Sequence, residues 1–386
     1  MTLRGFLVLL VLTLASLAGA GWALLSRDEP VASVLLDIPF LPDLAGKVDR
    51  VARIEVTTGE GKTVTIVRTA DGWVVEELGG FPAEPDRVRE IVLGLAEMRL
   101  IEPKTHDPGK LHRLGLDPER GEDRPKTVRL FDGQGKLLAE AMLGKRRWSL
   151  YGPGRSGMYV RLPGNQQAWL ADRAVDLPNE PLNVVDRNLV FLPRDDIREV
   201  HLHAGTPQEV VITREAPKEP FRLEGPGPEE VADEAKLNRV VTALGTMSAE
   251  EIRTRGEKPV PADAARAVYR LFDGLVLEVA VWKEGEGDDA QYWVAPEARV
   301  EEPAATVPAA DAAADAGSAQ PATAEAGSQA QDAGPQATEG AEAKKPAPER
   351  AAELNRRWQR WVFRVSDFLG ERLLWTREEL LEKPAG

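Results

Sequence analysis

Hydrophobic and polar positions alternate over residues 49–75, and the same alternation returns over residues 195–223. Asp49-x-Val51-x-x-Ile54-x-Val56 recurs as Asp195-x-Ile197-x-x-Val200-x-Leu202, and Val64-x-Ile66-x-Arg68 recurs as Val210-x-Ile212-x-Arg214 at the same offset. A period of two in β-branched residues predicts two half-buried strands joined by a short turn in each copy. A third strand follows, Gly72-Trp73-Val74-Val75 in the first copy and Pro220-Phe221-Arg222-Leu223 in the second, with the aromatic as a core plug.

The period then lengthens. Val88, Ile91, Val92, Leu95 and Met98 form one helical stripe, and Leu237, Val240, Val241, Leu244 and Met247 repeat its spacing. The repetition assigns the stripe to packing. Asp86 and Asp233 lie near the two helix starts, where free N–H groups favour a carboxylate. Beyond a Pro- and Gly-marked connection, Arg129-Leu130-Phe131-Asp132-Gly133 recurs letter for letter as Arg270-Leu271-Phe272-Asp273-Gly274, an Asp-Gly hairpin signal. Met158–Leu162 and Gln291–Val294 follow as further strands, then Ala168–Asp172 and Trp361–Asp367. Each copy therefore predicts three strands, a helix, and three or four strands. The economical arrangement is α+β, a mostly antiparallel sheet with a helix on one face.

Composition divides the rest of the chain. The second copy is interrupted by residues 301–350, rich in Ala, Pro, Gln and Glu, which cannot bury enough apolar surface to offset about 1–2 kcal/mol of backbone entropy per residue. Disorder is expected there. At the other end, the apolar run Gly5–Leu25 follows Arg4 and precedes Arg27-Asp28-Glu29. About 21 residues at about 1.5 Å each span a hydrocarbon core of about 30 Å. Positive charge before the run orients it with the N-terminus in the cytoplasm and the bulk of the chain exported. Ala18-Gly19-Ala20 resembles a cleavage site, but Trp22–Leu25 continue the span beyond it, so an uncleaved signal anchor in the inner membrane is expected. The expected organisation is an anchor at 1–28, a linker at 29–47 and a first module at 48–190. A second module at 191–300 and 351–376 encloses the insert, a tail spans 377–386, and a short capped helix, Thr376–Leu381, begins at their boundary.

A formal net charge of −14 opposes nucleic-acid binding, which needs a basic footprint. The absence of cysteine removes disulfides, thiolate metal sites and a cysteine nucleophile. Neither metal nor cofactor is expected. His201 and His203, two apart on a strand, would share a face, yet no spacing supplies the further ligands a metal needs. His106 and His112 belong to a surface connection. Gly152–Gly157 has neither the nucleophile-elbow nor the phosphate-loop pattern. Asp132, Asp273 and the pair Asp195-Asp196 occupy turn positions, where Asp serves the backbone.

One asymmetry points to binding. The first copy carries Lys145, Arg146, Arg147 and Trp148, close to Tyr151 and Arg155, where the second reads Lys283-Glu284-Gly285-Glu286-Gly287-Asp288-Asp289. Cations interleaved with aromatics can hold an anionic glycan, a lipid headgroup or an acidic partner.

The Ile-x-Val strand, Gly72-Trp73, the helix at Asp86–Leu100, Leu114-Gly115-Leu116-Asp117, Leu143-Gly144 and Tyr159-Val160-Arg161 together resemble a bacterial family, domain of unknown function 4340. Members of that family are often encoded beside ABC-2-type transporters of the gliding-motility-auxiliary kind. The resemblance implies an accessory role at the cell envelope without assigning an activity. Joined to the anchor and the lack of a catalytic constellation, it makes a membrane-anchored, non-enzymatic periplasmic accessory protein the leading expectation, with an ABC-2-type permease and ATPase or another envelope protein as partner. A glycan- or peptidoglycan-binding protein is the alternative, and a hydrolase the third reading. The long insert departs from the family pattern.

Overall fold

The computed structural model describes residues 37–150, 155–225, 227, 230–301 and 345–382. The expected anchor Gly5–Leu25 and residues 302–344 of the insert lie outside the described residues. Among the described residues, no helix is long and apolar enough to cross a membrane. The chain divides into two units, Met1–Asp186 and Arg187–Gly386, a few residues ahead of the boundary expected at 190.

The first unit contains β1 (Ile38–Pro39), β2 (Val51–Thr57), β3 (Thr63–Thr69), β4 (Gly72–Val75) and β5 (Phe81–Pro82), then helix α1 (Pro85–Ala96). After it come β6 (Arg99–Thr105), β7 (Lys126–Asp132), β8 (Leu137–Arg147), β9 (Gly157–Arg161) and β10 (Ala168–Ala171). They form one antiparallel sheet in the order β1-β6-β10-β9-β8-β7-β2-β3-β4-β5.

The second unit contains β11 (Asn188–Val190), β12 (Ile197–Leu202), β13 (Val210–Thr213), β14 (Arg222–Leu223) and helix α2 (Glu234–Val241). Then follow β15 (Met247–Ser248), β16 (Glu251–Thr254), β17 (Ala265–Leu271), β18 (Leu275–Glu284) and β19 (Gln291–Val300). Helix α3 (Ala347–Trp358), β20 (Trp361–Val365) and helix α4 (Asp367–Leu373) complete it. Its main sheet runs β14-β13-β12-β17-β18-β19-β20-β16, and β11 pairs with β15. Element by element this is the first unit's β4-β3-β2-β7-β8-β9-β10-β6. Both units are α+β and their strands pair antiparallel.

Each copy begins earlier than its alternation announces. Ile38 pairs with Leu100 and Asn188 with Ser248, so β1 and β11 are matching lead strands. Both run into Phe-Leu-Pro, at Phe40–Pro42 and Phe191–Pro193. Residues 38–47, expected as linker, thus belong to the first unit, and Leu44 is fully buried there. Strands of two or three residues are too short to show a period.

The helical stripes pack as expected. Val88, Ile91, Val92 and Leu95 are buried on α1, and Met98, just past its end, is fully buried. Leu237, Val240 and Val241 are buried on α2; Leu244 and Met247 continue the stripe through a 3-10 turn and β15. Asp233 caps α2, accepting from the N–H groups of Ala235 and Lys236 at 3.0 and 3.1 Å. Asp86 does not cap α1: Pro85 opens that helix, and Asp86 pairs with Arg89 at 2.6 Å. At the first hairpin Asp132 accepts from the N–H groups of Gln134 and Lys136, both at 3.0 Å, and the positive φ of 77° falls on Gly135 rather than Gly133. Gly274 takes the positive φ, 85°, in the second copy.

Two segments differ from expectation. Helix α3 starts inside the stretch assigned to the insert, burying Ala347, Ala351 and Trp358. Asn355 on this helix clasps β19, accepting from the Ala298 N–H at 2.8 Å and donating to the Ala298 carbonyl at 2.6 Å. The residues expected as a tail also pack: Leu380 is fully buried, its carbonyl accepts from the Asp233 N–H at 2.9 Å, and Leu381 bridges to Ala232. The capped helix survives as one turn, Glu378–Leu380, with the Thr376 N–H donating to Glu379 at 2.7 Å.

Candidate recognition cleft

The connection between β6 and β7 of the first unit forms a second small core. Leu111, Leu116, Met142 and Ala168 are buried together, with Leu114 and Tyr159 against them. The Leu114–Asp117 motif is what seats this connection on β8. A Cβ at Gly144 would lie 2.3 Å from the Leu114 carbonyl oxygen and 2.8 Å from that of Gly115, so only glycine lets the two chains touch. Buried Asp117 then turns the chain, accepting from the N–H groups of Glu119 and Arg120 at 3.0 and 3.1 Å. The Glu119 N–H, against the opposing effect of burial, helps hold its carboxyl below the usual aspartate value.

Beside this seat lies an open cleft of about 1220 Å³, bounded by the β2–β3 turn, the approach to β7, the end of β8 and residues 175–180. Its acidic lining residues are Glu60, Glu122, Asp123, Asp176 and Glu180, and its basic ones are Lys62, Arg124, Lys126, Lys145 and Arg146. The signs balance. Lys145 reaches Asp123 at 3.1 Å and Arg146 reaches Asp176 at 2.8 Å. Lys126 is half-buried and donates to the Leu177 carbonyl at 2.5 Å, and burial lowers its pKa against the opposing charge of Asp176. The Arg146 guanidinium lies 4.8 Å from the ring centroid of Trp148, whose side of the cleft is open: the residue is 75% exposed.

Of the six residues singled out by the asymmetry, Lys145, Arg146 and Trp148 line this cleft. Arg147 and Arg155 are exposed outside its lining, and Tyr151 lies outside the described residues. The basic stretch does not form a free cationic surface. Asp123 and Asp176, brought in from distant segments, neutralise half of it, so the expectation of an anionic ligand gives way to a mixed-charge site. Lys126 also belongs to the floor; the ladders pair Val51 with Asp132 and Ile197 with Leu271, which makes the half-buried Ala265 its counterpart in the second unit. The RLFDG identity runs two residues out of this register, so its offset alone points to Ala267 instead.

The other candidates stay apart. His201 ends up in an ion cluster, its Nδ1 2.7 Å from Glu209 and its Nε2 2.5 Å from Arg270. Because arginine only donates, Nε2 is the acceptor and the Nδ1–H faces Glu209. That hydrogen bond lowers the Glu209 pKa. His203 does not share the strand face: it lies past β12 with φ 51°, its Nε2 3.1 Å from the Leu374 carbonyl. Among the described residues no three His, Asp or Glu side chains converge as a metal site. Asp132 pairs with Arg50 at 2.9 Å and Asp273 with Arg350 at 2.5 Å, both as turn residues. Gly157 sits on β9, where a Cβ would meet the Ala171 carbonyl at 2.4 Å, a packing role.

Comparison with curated proteins and with solved structures gives no match. A family model described as "Domain of unknown function (DUF4340)" matches residues 73–267, just over half of the chain, from β4 of the first unit to β17 of the second. It spans the Leu114–Asp117 seat, the Gly144 contact and the cleft lining from Gly121 to Glu180, but not the β2–β3 turn that closes the cleft. The chain therefore belongs to the DUF4340 family.

Proposed function

We propose that this protein is a non-enzymatic accessory subunit of an envelope complex, held in the inner membrane by Gly5–Leu25 and presenting its two units to the periplasm. The observation that carries the reading is the divergence of two copies of one fold. The copies keep the same strand order and core stripes, but the first carries a Lys-Arg-Trp rim over a cleft where the second has a Glu-, Gly- and Asp-rich stretch. Duplication followed by divergence of one surface is how a scaffold acquires a binding face. Arg146 and Trp148 are residue types in which interface energy concentrates. The partner that the family resemblance suggests is an ABC-2-type permease with its ATPase.

The test is crosslinking in native membranes followed by isolation of the full-length chain. Permease and ATPase subunits should accompany the wild type, and a periplasm-active reporter fused after Gly386 should be active. Recovery of the chain with cell-wall enzymes alone, or with the reporter silent, contradicts the proposal.

A further inference from the structure

The accessory reading leaves open what the cleft of the first unit holds, and the lining narrows it. Five carboxylates face five cations there. A multiply charged anion or cation would meet as much repulsion as attraction, so the field selects no sign. A long acyl chain is equally unsuited, because the apolar lining, including Leu143, Met158, Val175 and Leu177, is interrupted by charge on every side. What remains is a ligand that is uncharged, offers donors and acceptors together, and has one apolar face.

We infer that the cleft binds an uncharged oligosaccharide, with the open face of Trp148 stacking on a sugar ring and the charged lining bonding its hydroxyls. A hydroxyl donates and accepts at once, so it can bridge a carboxylate and an ammonium side by side. Lys126 supplies such a donor at the floor: among the described residues only one of its three N–H bonds is taken up, by the Leu177 carbonyl. Glu122 and Asn179 stand exposed on the walls as planar partners. Trp148 carries the apolar contribution. Arg146 covers one face of its ring, and a residue 75% exposed leaves the other for the C–H face of a pyranose. The volume, about 1220 Å³, exceeds the roughly 300–1,000 Å³ of small-molecule pockets, which suits several rings rather than one. The second unit has Glu and Gly in place of the rim and Ala265 in place of Lys126, so binding is confined to the first.

The inference rests on the cleft being a recognition surface, and its test is independent of complex formation. Full-length protein in a detergent without a sugar headgroup is titrated calorimetrically with cellohexaose, maltohexaose and N-acetylchitohexaose, and in parallel with a mixed-charge decapeptide. At least one hexasaccharide should bind with a dissociation constant below about 1 mM, equivalent to about −4 kcal/mol. Trp148→Ala should weaken it about tenfold, Trp148→Phe less, with the melting temperature unchanged because the ring is exposed. Absence of binding by all three sugars overturns the inference, as does binding indifferent to Trp148→Ala. Binding of the peptide alone reassigns the cleft to a polypeptide. Loss of permease and ATPase from crosslinked membranes would instead defeat the accessory reading, whatever the calorimetry gives.

Discussion

Replacing Gly144 by alanine tests the packing seat on which the cleft stands. The added Cβ would lie 2.3 Å from the Leu114 carbonyl oxygen, 2.8 Å from that of Gly115 and 2.9 Å from the Leu116 Cγ. Two of these are backbone atoms, so no rotamer change relieves them. Either β8 and the connection separate locally, at the usual overpacking cost of about 1–3 kcal/mol, or the connection lifts off. Lifting exposes Leu111 and Leu116, at about 1.5–3 kcal/mol each. Local strain is the cheaper route, so a loss of about 2–3 kcal/mol is expected, close to 5–10 °C in melting temperature for a unit of this size.

The assay is urea unfolding of the purified chain followed by circular dichroism, with Gly133→Ala as the control. Gly133 has no positive φ, and its Cβ would meet nothing closer than the Ala52 Cβ at 3.9 Å, so that variant should stay within about 0.5 kcal/mol of the wild type. A Gly144→Ala midpoint indistinguishable from that of Gly133→Ala would refute the seat.

Three further outcomes follow from the same contacts. Asn355→Ala should cost about 1–3 kcal/mol by urea unfolding, because it orphans both backbone groups of Ala298. Asp132 is held below its usual pKa by the Lys136 N–H, then those of Gln134 and Arg50, against burial. Its contribution is therefore complete above the unfolded value near 3.8 and lost as pH falls through the lower folded value. Asp132→Asn should accordingly destabilise at neutral pH and flatten the acid limb of a stability–pH curve. Removing residues 304–343 should leave the melting temperature within about 2 °C, since closure entropy changes by only about 0.6 kcal/mol per doubling of loop length. Extending that deletion through Pro348 should cost more, because it removes the buried Ala347.

Most of the fold was legible because it is written twice. Strand alternation and the helical stripes appear at matched offsets, and a coincidence seen in one copy is tested by the other; the RLFDG identity marks the same hairpin but lies two residues out of the ladder register. The lead strands escaped because two or three residues carry no period, although Phe40–Pro42 and Phe191–Pro193 mark them once the register is known. Helix α3 escaped for a compositional reason: of its twelve residues only Ala347, Ala351 and Trp358 are buried, so it reads as more of the Ala- and Glu-rich insert. His203 escaped because its φ of 51° breaks the strand face that spacing implied. The site was half legible. The Lys-Arg-Trp rim is contiguous and stands out against the second copy. Its neutralising partners Asp123 and Asp176 are supplied by other segments, and tertiary pairing of this kind leaves no trace in spacing.

The central claim is that the first unit, and not the second, carries the recognition face of an exported protein. A photoreactive amino acid placed at Arg147, beside the Trp148 rim, tests it most directly, with the same group at Glu286 in the matching stretch of the second unit. After irradiation of intact cells, the membrane fraction is probed for the chain. The account predicts discrete higher-mass adducts from position 147, reduced by Trp148→Ala, and none from position 286. Equal adducts from both positions, or none from position 147 in folded, exported protein, would contradict it.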